Sequence, residues 1–144
     1  MKFEGEIPVS ADSKTLWDYI INLEKIATCF PGIKSFEKEQ DGYKVVGVAG
    51  IGFIKGEYKA NVKLSQIDPQ NKSLNLIAKG SGLNSNVDIN ALVQVLDNPV
   101  RLKYTADVKI GGVLASIGAR LLDSAVNKII NDLFECVKSR VSGK

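Results

Sequence analysis

The chain has 144 residues, a formal net charge of +3 and no histidine. That length suits one domain with a real core, and the slight charge, with Lys and Arg interleaved among Asp and Glu, leaves no electrostatic footprint for nucleic acid. Without histidine, His-based triads and the commonest metal sites are excluded, and the two cysteines, Cys29 and Cys136, are too few for a zinc site.

In chain order, Phe3, Gly5, Ile7 and Val9 alternate with polar residues and predict a half-buried first strand, with Pro8 pointing to an edge or a strand end. Asp12 is placed to cap a short helix over Ser13–Ile21, and Asn22 a second one through Ile26 and Ala27. Pro31-Gly32 then turns the chain into a meander. One strand covers Ile33–Gln40. Asp41-Gly42 signals a type I′ hairpin, both of whose turn residues need positive φ. The glycine-rich third strand ends at Ile51, and Gly52 to Gly56 makes the next turn.

Tyr58, Ala60, Val62 and Leu64 line one face of a fourth strand, and Asp68 to Asn71 turn it. Leu74, Leu76 and Ala78 mark a fifth strand. Gly80 to Asn86 reads as a mobile loop carrying one exposed leucine, Leu83. Val87, Ile89, Ala91, Val93 and Val95 mark a sixth strand, and Val100, Leu102, Tyr104, Ala106, Val108 and Ile110 a seventh. From Gly111 to Val141 apolar residues recur at three- and four-residue steps, predicting one amphipathic helix of roughly 40 Å.

Strands joined by short turns pair with their neighbours and run antiparallel. The expectation is therefore one α+β domain over residues 1–144. A curved antiparallel sheet of about seven strands wraps around the long C-terminal helix, with two short helices between strands one and two. Cys29 and Cys136 are each expected as small buried hydrophobes, pairing being the alternative.

Small residues on the first half of the helix, among them Gly112, Ala115 and Gly118, face small inward positions on the sheet, among them Ala60, Ala78, Ala91 and Ala106. Small facing small predicts a cavity rather than a solid core. Its candidate lining is Trp17, Phe30, Tyr58, Leu76, Ala78, Ala91, Tyr104, Leu114, Ile117 and Leu121. Its candidate mouth is Pro31, Gly32, Gly80, Leu83 and Gly112. Apolar walls with a few hydroxyls suit a hydrophobic small molecule.

Motifs for chemistry are weak. Gly47 to Gly52 has the reverse of dinucleotide-loop spacing and no helix after it, and no Ser or Thr follows Lys55 as a phosphate loop requires. Asp123 with Asp132, or Glu4 with Glu6, reads as solvated surface rather than an acid/base pair. No catalytic residue, metal or cofactor is expected.

Several stretches carry a family likeness: Met1 to Val9, Cys29-Phe30-Pro31-Gly32, Ile54-Lys55-Gly56, Gly80-Ser81-Gly82 and Ala106 to Leu121, the last containing Gly111-Gly112. With Trp17 in the first helix and the C-terminal helix, they resemble the carbon monoxide dehydrogenase CoxG family of the SRPBCC (START-like, helix-grip) superfamily, over nearly the whole chain. The resemblance implies a non-catalytic accessory protein of a molybdenum-dependent oxidoreductase. It also implies membrane recruitment of that enzyme and binding of a lipophile such as a quinone. Family members often carry a C-terminal extension able to act as an anchor. Here Ser142-Gly143-Lys144 alone follow the predicted helix, which speaks against direct anchoring.

No apolar stretch reaches the ~18 residues of a membrane span, and acids stand where a signal peptide needs an apolar core. A cytoplasmic protein at the inner membrane face is expected. Two alternatives remain beside the carrier: a cyclase-like enzyme using Tyr58 and Tyr104, and an adaptor or homodimer using Leu92, Leu96 or Ile77 on the outer sheet face.

Overall fold

A computed structural model describes residues 1–51 and 53–142. Gly52, placed in a turn from the sequence, and Gly143, placed just past the last helix, lie outside the described residues, as does Lys144. The elements run β1 (Lys2–Pro8), α1 (Ser13–Ile20), α2 (Leu23–Ala27), β2 (Ile33–Glu39), β3 (Gly42–Ile51), β4 (Ile54–Asp68), β5 (Ser73–Gly82), β6 (Ser85–Leu96) and β7 (Arg101–Gly112). A 3-10 turn (Val113–Ser116) and α3 (Ala119–Ser142) complete the chain.

The seven strands form one antiparallel sheet in the order β1-β7-β6-β5-β4-β3-β2. From β2 to β7 every strand pairs with its sequence neighbour, as short connections dictate. The two helices carry the chain from β1 at one edge to β2 at the other. The sheet curves around α3 and buries one face, as the period-two pattern requires: Leu102, Tyr104, Ala106 and Val108 of β7 are all buried. On α3 the buried residues are Leu122, Val126, Ile130, Phe134, Val137 and Val141, one stripe of an amphipathic helix. Leu16, Trp17 and Ile20 of α1, with Ile26 and Ala27 of α2, join the same core.

The caps follow the sequence. The Thr15 amide donates to Asp12 Oδ1 at 2.7 Å and the Lys25 amide to Asn22 Oδ1 at 3.4 Å, each satisfying a donor that the first helical turn leaves free.

Four expectations are corrected. First, the C-terminal helix does not start at Gly111. β7 continues through Gly112, whose φ of 86° turns the chain into the 3-10 segment, and Gly118, with φ of 106°, separates that segment from α3. A helix cannot run through residues with positive φ. Ala119–Ser142 therefore spans about 36 Å, and Val113, Leu114 and Ile117 lie outside it.

Second, no loop spans Gly80 to Asn86. The β5–β6 ladder runs to its last rung, Gly82 opposite Ser85. Leu83 and Asn84 form a two-residue turn with φ of 56° and 53°, the backbone signs of a type I′ hairpin. Ladder pairing outweighs the loop-like composition of Gly, Ser and Asn.

Third, the β2–β3 turn is Gln40-Asp41, because Glu39 pairs with Gly42, and neither Asp41 nor Gly42 has positive φ. Gly42 is instead required by close approach, since a Cβ there would collide with the Val62 carbonyl.

Fourth, Cys29 and Cys136 are joined in a disulfide, with Cα atoms 5.8 Å apart. It ties the end of α2 to α3, and beside it Arg140 of α3 donates a hydrogen bond to the Thr28 hydroxyl.

Candidate functional site

A cavity lies between the inner face of the sheet and α3. It holds about 1150 Å³ of empty space, including the part open to solvent at its mouth. The sheet supplies small side chains where its strands cross under the helix: Ala60 on β4, Ala78 and Gly80 on β5, Ala91 on β6 and Ala106 on β7. Leu76, Val87, Ile89, Val108 and Ile110 extend these walls. The helix supplies Val126, Ile129, Ile130, Leu133 and Phe134. The unfilled volume thus comes from small residues on the sheet alone. The small residues expected to face them, Gly112, Ala115 and Gly118, precede α3 or end β7.

Three turns converge at one end of the cavity. Phe30 and Pro31 follow α2. Ala49 and Ile51 end β3, and Leu83 tips the β5–β6 hairpin. Leu114 of the 3-10 turn closes the fourth side. Two bonds hold this segment to the hairpin: the Val113 amide donates to the Asn84 carbonyl at 3.0 Å and the Leu114 amide to Ser85 Oγ at 2.8 Å. Leu83 also covers Gly56, where a Cβ would come within 2.6 Å of Leu83 Cδ2.

Of the residues expected at the site, Phe30, Tyr58, Leu76, Ala78, Ala91 and Leu114 line the cavity, and so do Pro31, Gly80 and Leu83, which were expected at its mouth. The others lie elsewhere. Trp17 is buried between α1 and the rest of the core and is absent from the lining. Tyr104 stacks on Phe134 with ring centroids 4.6 Å apart, the hydroxyl end of its ring lying over Gly5. Phe134 thereby stands between Tyr104 and the cavity. Ile117 packs against the core outside the lining, and Leu121 on the first turn of α3 is 43 % exposed. Gly32, with φ of 53°, abuts the Val48 carbonyl, and Gly112 abuts Asn84 at the turn. Both serve backbone geometry. The helix residues from Val126 to Phe134 were not expected at the site, although their helical period already placed them on the inward stripe.

The lining is carbon nearly throughout. Its polar residues, among the described ones, are Tyr58, Ser81 and Ser85. The Tyr58 hydroxyl donates to the Pro31 carbonyl at 2.5 Å, fixing the turn after α2 to β4, and burial pushes its pKa up to about 12. Ser85 Oγ donates to the Leu83 carbonyl at 3.0 Å while accepting from Leu114. Among the described residues no cluster of three or more His, Cys, Asp or Glu side chains could hold a metal ion. No helix among them is long and apolar enough to cross a membrane.

The fold recurs widely. A conserved protein of Geobacillus kaustophilus superposes with a TM-score of 0.88 at 25% identity, covering 99% of this chain and 96% of that one. A START superfamily protein from Mycobacterium smegmatis superposes at 0.65 with 13% identity, covering 97% and 96%. An aromatase/cyclase from Streptomyces sp. R1128 superposes at 0.69 with 12% identity, covering 98% and 93%. No match was found among curated proteins. The sequence itself fits the model of the CoxG family of carbon monoxide dehydrogenase subunits over residues 5–142, so the chain, with its START-like helix-grip fold, belongs to that family.

Proposed function

We propose that this protein binds a hydrophobic small molecule, quinone- or lipid-like, in the cavity between sheet and α3. It holds that molecule as a non-catalytic accessory of a carbon monoxide dehydrogenase-type, molybdenum-dependent oxidoreductase. The observation that carries the reading is the chemistry of the walls: side chains of carbon, with the Tyr58 and Ser85 hydroxyls engaged in the fold. Such a site gains affinity by removing apolar surface from water. The family name supports the oxidoreductase as partner.

The same scaffold supports an enzyme in the Streptomyces aromatase/cyclase. Among the described residues of the lining, Tyr58 is the one side chain with a titratable group. Tyr58 is held neutral and bonded to Pro31, Tyr104 stacks on Phe134 outside the lining, and among the described residues the lining holds no carboxylate. The adaptor or homodimer reading has Leu92, 40 % exposed on the outer sheet face, as its main support, and isolated exposed leucines are ordinary.

The proposed place of action is the cytoplasm at the inner membrane face, where the ligand would be exchanged by peripheral contact. Phe53 in the β3–β4 turn is 85 % exposed, and with Val113 it offers apolar side chains at the mouth end of the sheet. In that compartment the Cys29–Cys136 disulfide would be an exception to the usual reduced state. Thiol labelling in fresh lysates reads which state prevails.

The deciding test is native purification, organic extraction and mass spectrometry. A stoichiometric quinone or lipid is expected, and it should be missing from Ala78→Trp, which fills the cavity floor. An empty extract, followed by no thermal shift with a quinone and lipid panel, refutes the carrier reading in favour of an adaptor.

A further inference from the structure

The distribution of polar atoms along the cavity says more about the ligand than its apolar character does. The polar residues of the lining stand on the last rungs before the β5–β6 turn: Tyr58 opposite Gly82, Gly82 opposite Ser85, and Ser81 opposite Asn86. Beyond them the cavity runs to Leu76, Ala91 and Phe134, all buried. From Gly82 to Leu76 along β5 is roughly 20 Å at strand rise. On the helix the lining runs from Val126 to Phe134, about 12 Å at helical rise. The cavity is therefore a deep slot with its polar atoms at one end.

Ser81 is exposed and stands one residue out of phase with the inward-facing Ala78 and Gly80, so its hydroxyl belongs to the outer face, and the other two hydroxyls are already bonded within the fold. Tyr58 donates its one proton to Pro31, and Ser85 donates its one proton to Leu83. Among the described residues, no buried side-chain nitrogen or oxygen is left without a partner. The strand backbones are paired in the ladder. A carbonyl or charged group taken into the far end would lose its water and gain no hydrogen bond there.

We infer that the cavity takes a single long hydrocarbon chain, inserted lengthwise, with the ligand's polar end left at the mouth, so that ligands are selected by their chain and not by their head group. This rests on the carrier reading proposed above. An extended hexadecyl chain matches the roughly 20 Å of β5 that lines the slot from Gly82 to Leu76.

The test is displacement of the chain-bearing fluorophore cis-parinaric acid from the intact protein by two series of compounds. In the first, hexadecanol, palmitate and a prenylated quinone share a long chain and differ in head group. Their affinities are expected to agree within about tenfold. In the second, alcohols of decreasing chain length should lose roughly fourfold in affinity per methylene removed, and 1,4-naphthoquinone, a head group without a chain, should fail to displace the probe. A naphthoquinone that competes as well as its prenylated form, or a quinone that binds where the alcohol and the acid do not, overturns the inference. Failure of any apolar probe to bind refutes the carrier reading itself, a different result. A second variant locates the chain: Ala91→Phe at the far end should move the preferred alcohol from hexadecyl to shorter chains. Equal weakening at every chain length would show that the chain does not lie along the slot.

Discussion

Breaking the Cys29–Cys136 disulfide has a consequence that follows from chain topology. The bond closes a loop with a sequence separation of 107, most of the protein. In the chain-entropy account, cross-linking a loop of that size removes about 16 cal/mol/K from the unfolded chain, or about 4.8 kcal/mol at 25 °C. For a protein of 144 residues, with about 2.1 cal/mol/K of unfolding entropy per residue, that corresponds to a fall in Tm of about 16 °C. The assay is thermal unfolding by circular dichroism, with and without a strong reductant, beside the double variant Cys29→Ala with Cys136→Ala. Reduction and substitution should agree to within the few degrees that the buried Cys29 site adds through packing. The bond also anchors the segment before Phe30 and Pro31, so reduction should speed release of an apolar probe from the cavity. A Tm change below about 4 °C on reduction, with oxidation of the starting sample verified by mass, would refute the reasoning, because the unfolded chain would then not be gaining the freedom the loop denies it.

Three further outcomes follow from local geometry. Tyr58→Phe leaves the Pro31 carbonyl without its donor and should cost about 1 kcal/mol, read by urea unfolding. Burial raises the folded-state pKa of Tyr58 above its unfolded value near 10, so the wild type should lose stability as pH rises from about 10 toward about 12; the Phe variant should lose less there, and equal alkaline slopes would sink the assignment. Gly112→Ala forces a side chain into positive φ and against the Asn84 carbonyl, so it should lower Tm and accelerate amide exchange at Val113 and Leu114, while unchanged exchange would mean that this junction does not hold the 3-10 turn to the hairpin. Phe53→Ser touches an exposed turn and should leave stability within about 0.5 kcal/mol. It should weaken co-sedimentation with lipid vesicles, and undiminished vesicle binding would remove the β3–β4 turn from the proposed contact.

Much of the candidate site was legible because it rests on alternation. Ala78, Ala91 and Leu76 could be assigned to the inner face from their own strands, since side-chain direction in a strand depends on the neighbouring residue alone. Tyr104 was assigned inward by the same rule, and it is buried. Whether an inward side chain meets empty space or another ring depends on the opposite layer, and Phe134 fills the place in front of it. Ile117 and Leu121 were misplaced for a different reason. Their helical spacing is genuine, but Gly118 breaks the path, and a mid-pattern glycine reads as a tolerated defect until its φ is known.

The sequence by itself determined the order of the elements, the two N-caps, the face each strand buries and the need for the long helix to cover the sheet. All of these are set by residues a few positions apart, through hydrogen-bond geometry and the periods of strand and helix. The tertiary structure alone decided the rest: that Cys29 meets Cys136, that the β5–β6 ladder zips to Leu83-Asn84, and that small side chains on β4 to β7 lie under large ones on α3 with space between. These depend on distances between segments far apart in the chain. Packing density is fixed by facing layers together and not by either one.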